Sequence, residues 1–289
     1  MKKNFLIIYK FIIFFSLFES LLLTKSLKAF IPTINEPNQK ELKSTSIQIG
    51  KTAIQLIQFG QNNEAIKLLL LAIKLNPNEK ELWVSLAEAQ VRSGQSYKAL
   101  LSLNQAIKLK PEEQNLYFRK ASIHMDLNDP QKAKSFITKG LAINKKNERG
   151  YFQLGNAEIM LKNYRLALIA FKKSSKINPN FWQSINNEGL VLFEIHNSEK
   201  ALSKFKSALK ISNDAEPMLA LAITLYISNN KSIESLKLAK KALKLNPKYI
   251  SKEYQAKQLW GKKLQKSAQF LFKNKEMEKA VTEAKEKSQ

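Results

Sequence analysis

Along most of this chain apolar residues fall three and four positions apart, in blocks of about fourteen separated by short polar stretches. That spacing lines one face of a helix, so it predicts helix after helix from residue 46 onward. The blocks themselves recur. Leu75–Trp83 reads LNPNEKELW, Leu109–Tyr117 reads LKPEEQNLY and Ile143–Tyr151 reads INKKNERGY. INPNFWQSI from Ile177, ISNDAEPML from Ile211 and LNPKYISKE from Leu245 follow in phase, each starting 34 residues after the one before. Six units result, 46–79, 80–113, 114–147, 148–181, 182–215 and 216–249, each a helix, a polar turn, a second helix and a further turn. Pro77, Pro111, Pro179 and Pro247 stand where the second helix must stop, because proline lacks the amide donor and clashes with the preceding turn. Lys145 and Asn213 take that place in the other two units.

Residue size repeats as well. The eighth position of the units carries Ala53, Ala87, Ala121, Gly155, Gly189 and Ile223, and the twentieth Ala65, Ala99, Ala133, Ala167, Ala201 and Ser235. Bulky side chains fill the fourth position, from Ile49 and Trp83 to Leu219, and the twenty-fourth, from Leu69 to Phe205, with Ala239 the exception. Small residues at two positions and large ones at two others let neighbouring helices approach and interlock.

This pattern of small, large and proline positions resembles the tetratricopeptide repeat family across 46–249. The resemblance implies an all-α fold, a right-handed α-solenoid of helix-turn-helix units, and a scaffold that binds protein segments. In that family the first helix of each unit lines an inner groove through its second, fifth, sixth, ninth, twelfth and thirteenth positions. Carried onto the central units, these are Phe118, Arg119, Ser122, Arg149, Phe152, Gln153, Asn156, Asn187, Leu190 and Phe193, with Asn186 beside them. Rings among amides suit an extended peptide, the Phe side chains taking its apolar groups and Asn or Gln bonding its backbone. Family members that clamp a C-terminal carboxylate need a Lys where Phe152 stands and basic residues where Pro217 and Leu221 stand, so that clamp is incomplete here. A narrower likeness, of a targeting segment joined to a bacterial-type repeat array with the run Ile185–Glu194 (INNEGLVLFE), is to the cyanobacterial and plastid repeat proteins that assist photosystem assembly or pigment synthesis at the thylakoid.

The flanks differ from the units. Lys2 and Lys3 precede an apolar run from Phe5 to Leu23, broken by Lys10 and Glu19 and followed by Ala29. Residues 1–29 therefore read as a cleaved secretory signal or a retained membrane anchor, with 30–45 as a linker. The chain is expected to be exported or membrane-anchored in a bacterium, and the narrower likeness implies a cyanobacterial one. Ala256, Trp260, Leu264, Ala268 and Leu271 form one apolar stripe, which predicts a capping helix over 250–272, and the alternating Lys and Glu of 273–289 read as an unstructured tail.

Charge and chemistry narrow the function further. Forty-eight Lys and Arg against 24 Asp and Glu give +24, a field that attracts anionic membrane, nucleic acid or an acidic protein. A solvated Lys-rich surface is preferred over a dedicated polyanion site, with an anionic membrane surface or nucleic acid as the alternative partner to a protein client. Without cysteine there is no disulfide or thiolate chemistry. His124 and His196 have no partner at metal-ligand spacing, Asp126, Asp129 and Asp214 are scattered, and no Gly-rich phosphate cradle occurs, so no catalytic, cofactor or metal residue is assigned.

Overall fold

The computed structural model describes residues 38–228 and 232–288 of the 289-residue chain. The segment expected to direct export, 1–29, lies outside the described residues. Among those described the fold is all α, with no strand. Twelve helices form six consecutive pairs, α1 (Gln39–Gln58) with α2 (Asn62–Leu75), α3 (Lys80–Arg92) with α4 (Ser96–Leu109), and α5 (Gln114–Asp126) with α6 (Pro130–Ile143). The series continues with α7 (Glu148–Met160), α8 (Tyr164–Ile177), α9 (Trp182–Glu194), α10 (Ser198–Ile211), α11 (Ala215–Ser228) and α12 (Ile233–Leu245). The chain is an α-solenoid of helix-turn-helix units, odd-numbered helices leading and even-numbered helices following.

The turns repeat as strictly as the helices. In units one to five the turn after the leading helix holds a residue in the left-handed region, Gly60, Gly94, Asn128, Lys162 and His196, with φ between 56 and 77°. Glycine takes that conformation freely, whereas Lys162 and His196 hold it against the steric cost of a Cβ. The next amide bonds back to the leading helix in every case, as when Asp129 N donates to His124 O at 2.7 Å. At the turns between units the aromatic at position four locks onto the proline: Trp83 Nε1 donates to Pro77 O at 2.8 Å and Tyr117 hydroxyl to Pro111 O at 2.9 Å.

Within a unit, positions eight and twenty-four complement each other in size. Where the twenty-fourth is Leu69, Leu103 or Ile137, the eighth is Ala53, Ala87 or Ala121, and all six side chains are buried. Where it is Phe171 or Phe205, the eighth is glycine: a Cβ on Gly155 would stand 2.4 Å from the Phe171 ring, and one on Gly189 2.6 Å from the Phe205 ring. The sixth unit reverses the order, with buried Ile223 opposite buried Ala239. Its departure from the pattern therefore keeps the packed volume.

After α12 a short 3-10 turn, Pro247–Ile250, leads into α13 (Lys252–Lys257). The helix breaks at Leu259, with φ +60°, and the chain redirects into α14 (Lys262–Phe272), which packs on the leading helices α9 and α11. The single capping helix expected over 250–272 is thus two helices, and it covers a face as well as an end. The expected unstructured tail is also ordered: Met277 is fully buried and α15 (Glu278–Ser288) returns to pack on α12, burying Ala284. Nor is all of 30–45 a linker, since α1 begins at Gln39 behind a capping box in which Glu41 N donates to Asn38 Oδ1 at 2.9 Å.

Candidate functional site

The face made by the leading helices is covered at one end and open at the other. Over α9 and α11 it is covered by the chain itself. Glu194, the last residue of α9, accepts from the first amides of α14, Leu264 N at 2.8 Å and Lys263 N at 3.2 Å, as a carboxylate caps a positive helix end. Gly261 leaves room for that carboxylate, since a Cβ there would stand 2.1 Å from Glu194 Cδ. Trp260 is buried and its indole donates to Glu216 Oε1 at 2.9 Å, while Asn186 Nδ2 donates to Glu216 Oε2 at 3.1 Å. Burial, above all, pushes the Glu216 carboxyl up to about 7, and nearby Asp214 adds to the rise.

That covering changes the reading of the central site residues. Leu190 and Phe193 are buried in the core that α14 completes, so they present nothing to a ligand. Phe118 is also core: its ring fits against Gly140 and Gly150, where any Cβ would come within 2.7 Å of it. Phe152 is half-buried against Phe171 and Phe181, with ring centroids 5.8 and 5.1 Å away. The amides bond one another instead of standing open for a peptide backbone: Gln153 Nε2 donates to Ser122 Oγ at 3.0 Å and Asn187 Nδ2 to Asn156 Oδ1 at 3.1 Å. Asn186 and Asn187 are buried, and Arg149 is exposed. The run Ile185–Glu194, read from the sequence as a likeness to thylakoid repeat proteins, is a leading helix whose buried character follows from the covering α14.

The open part of the face lies over α1, α3 and α5. A cavity of about 300 Å³ has a floor of Val84, Ala87, Val91 and Ile123, with Arg92, Arg119 and Asp126 on its rim. A second of about 520 Å³ adjoins it toward α1, reaching Ile54 and Ile57, and the two share Val84, Glu88, Arg92 and Arg119. Glu88 sits between the arginines, its Oε1 3.0 Å from Arg92 Nη2 and its Oε2 3.8 Å from Arg119 Nη1. Along the second cavity Lys80 bonds Glu113 and Glu81, and the bond to Glu113, first of all, raises its pKa. Burial raises that of Asp126. The result is an apolar trough with charged groups of both signs along its edges.

Of the residues expected from the sequence, Arg119 and Ser122 line this trough. Val84, Glu88, Val91 and Arg92 were missed, although they occupy the fifth, ninth, twelfth and thirteenth positions of the second unit. The same positional rule, applied one unit earlier, identifies them. Among the described residues no three His, Cys, Asp or Glu side chains cluster as a metal would need. His124 is stacked on Phe136 at 5.3 Å and burial lowers its pKa, while His196 serves the turn after α9.

The family model for the tetratricopeptide repeat matches residues 80–113, 114–147 and 148–181, which are units two, three and four in the register derived above. Solved structures share the fold at low identity. PilF of Pseudomonas aeruginosa is 17% identical over 76% of this chain and 98% of its own, with a TM-score of 0.61. PilW, described as a widely conserved type IV pilus biogenesis factor, is 19% identical over 73% of this chain and 97% of its own, with a TM-score of 0.60. MamA is 22% identical over 60% of this chain and 92% of its own, at 0.53. No curated protein matches the sequence.

Proposed function

Because this chain is a solenoid of tetratricopeptide repeats, we propose that it is a non-catalytic scaffold whose leading-helix trough over α1, α3 and α5 holds a segment of a client protein. The observation that carries this reading is the contrast along one face: closed by α14 over units five and six, open and floored by Val84, Val91 and Ile123 over units one to three. An apolar trough takes aliphatic side chains of a bound segment, and guanidinium groups at its rim offer paired donors to a carboxylate or to backbone carbonyls. Client binding here serves the assembly of a membrane-associated complex. Two things support that second step: residues 1–29 carry the basic start and apolar run of a segment that enters or crosses a membrane, and a protein of the same fold, PilW, is a pilus biogenesis factor. Among the described residues no helix is long and apolar enough to cross a membrane.

A photo-crosslinking residue placed at Val91 should capture a protein client from native membranes, and one placed at exposed Ile169 on α8 should not capture it. With that client in hand, Arg92→Ala and Arg119→Ala should each weaken binding about tenfold, the scale of a lost charge-assisted contact. Equal capture from both positions, or unchanged affinity in both arginine variants, would remove the trough as the site.

A further inference from the structure

The basic charge is sorted between the two faces of the solenoid. The following helices of units three to five, α6, α8 and α10, carry eleven Lys and Arg and one acid, Glu199. The leading helices of the same units, α5, α7 and α9, carry three basic and five acidic residues. Most positions of α5, α7 and α9 are buried or half-buried, so burial concentrates the exposed basic charge of these units on the outer surface of α6, α8 and α10. Some of the eleven have structural work. Lys134 and Lys204 turn inward to the buried carboxylates Glu158 and Glu188, each at 2.7 Å, and Lys132 pairs with Asp129 at 3.0 Å. Arg165, Lys172, Lys176, Lys206 and Lys210 are exposed and pair with no carboxylate among the described residues.

Aliphatic side chains sit within this field. On α8, Leu166 is 47% and Ile169 65% exposed, in the same outward stripe as Arg165, Lys172 and Lys176. We infer that the outer surface of α6, α8 and α10 docks on an anionic lipid surface, its lysines meeting lipid phosphates and Ile169 and Leu166 entering the headgroup boundary. The observations favour lipid over a polynucleotide. None of the large apolar side chains exposed on these three helices is aromatic, whereas single-stranded nucleic acid is held by stacking on rings. The charges are ten lysines and one arginine, point charges that respond to a diffuse negative surface and lack the planar fork of base recognition. Docking by this surface leaves the leading-helix trough free for a client, so it stands or falls independently of that site.

Flotation of the full chain with vesicles separates this surface from the apolar N-terminal run, because the run is expected to respond little to lipid charge. The quantity read is the ratio of affinity for vesicles with 30% phosphatidylglycerol to affinity for pure phosphatidylcholine vesicles. Reversing Lys172, Lys176, Lys206 and Lys210 to Glu should lower that ratio at least tenfold, and the milder change of the same four to Gln should lower it by a smaller factor. The same four reversals at Lys67, Lys74, Lys98 and Lys108, exposed on α2 and α4, should change it less than twofold. An equal fall in both sets would reduce the effect to net charge and overturn the assignment. So would a wild-type ratio near one, or a 20-base-pair RNA duplex whose binding depends on Lys172, Lys176, Lys206 and Lys210 while the vesicle ratio does not.

Discussion

Gly155 and Gly189 are helix-interior glycines, which on propensity alone cost each helix about 1 kcal/mol relative to alanine. Their rings opposite, Phe171 and Phe205, explain why they persist, and the explanation can be tested against propensity because the two effects have opposite signs. Gly155→Ala should destabilise by about 1 to 3 kcal/mol through overpacking. Adding Phe171→Leu should recover part of that loss, since Ala with Leu is the pair that units one and two already use. A stabilised Gly155→Ala variant in urea unfolding would show that size complementarity does not govern these positions. Glu216 gives a second test at this scale. Folding raises its pKa from an ordinary value near 4.5 to about 7, so the folded chain holds an extra proton between those values. Its contribution to stability is full below pH 4.5 and is lost as pH rises through 7, by at most about 3 kcal/mol. Buried His124, whose pKa is lowered, works in the opposite direction as pH falls, so the measurement needed is a difference. The thermal midpoint of wild type minus that of Glu216→Gln should drop between pH 5 and pH 8, and a flat difference would contradict the burial argument.

The helices themselves were legible in the sequence because their instructions are local: a 3.6-residue apolar period, and a stop at Pro77, Pro111, Pro179 or Pro247 in four of the six units. What each leading helix faces is a tertiary matter and was not legible. Nothing local in INNEGLVLFE says that α14 will lie on it, and the stripe from Ala256 to Leu271 matches a helix over an end as well as two helices over a face. The break falls at Leu259, a residue with no preference for positive φ, so its neighbours must impose the bend. The alternating charges of 273–289 hid Met277, in the 3-10 turn before α15, and Ala284 on α15, two apolar anchors too few to register as a period. Site residues failed in the same way: Phe118, Leu190 and Phe193 fit the family's groove positions, yet glycines opposite one and a covering helix over the others make them core. The covering element can be tested directly. Trp260→Ala removes a buried indole and its bond to Glu216, and should cost about 3 to 5 kcal/mol locally. Hydrogen exchange should quicken in α9, α11 and α14 while α3 and α5 keep wild-type protection. Uniform loss of protection along the chain would mean that α14 is no separable cover.

Across the whole chain the buried apolar residues fall into clusters that each join neighbouring units. Ala53 to Ala89 join units one and two, Ala87 to Ile123 units two and three, and Phe118 to Ala157 units three and four. The largest is at the other end, where units five and six share one cluster with Tyr249, Trp260, Leu264 and Met277 of the C-terminal segment. A solenoid of this kind draws its stability from nearest-neighbour interfaces, so unequal interfaces imply unequal local stability. Polar groups sharpen the contrast. Buried Lys120 and His124 lie in the thinner middle of the array, and burial lowers the pKa of both. Among the described residues α14 covers the leading helices α9 and α11, whereas the trough lies over units one to three, whose cores are smaller. Binding sites tend to occupy the less stable part of a fold, and here the trough does. In native-state hydrogen exchange at rising urea, the amides of α1 to α4 should open at the lowest free energies and those of α11, α12 and α14 last, with units three and four between. Client segments bound in the trough should raise the protection of α1, α3 and α5 by RT ln(1 + [L]/Kd) and leave α11 unchanged. A single transition shared by every helix would show that the units fold as one body and that the gradient of core size has no consequence for stability.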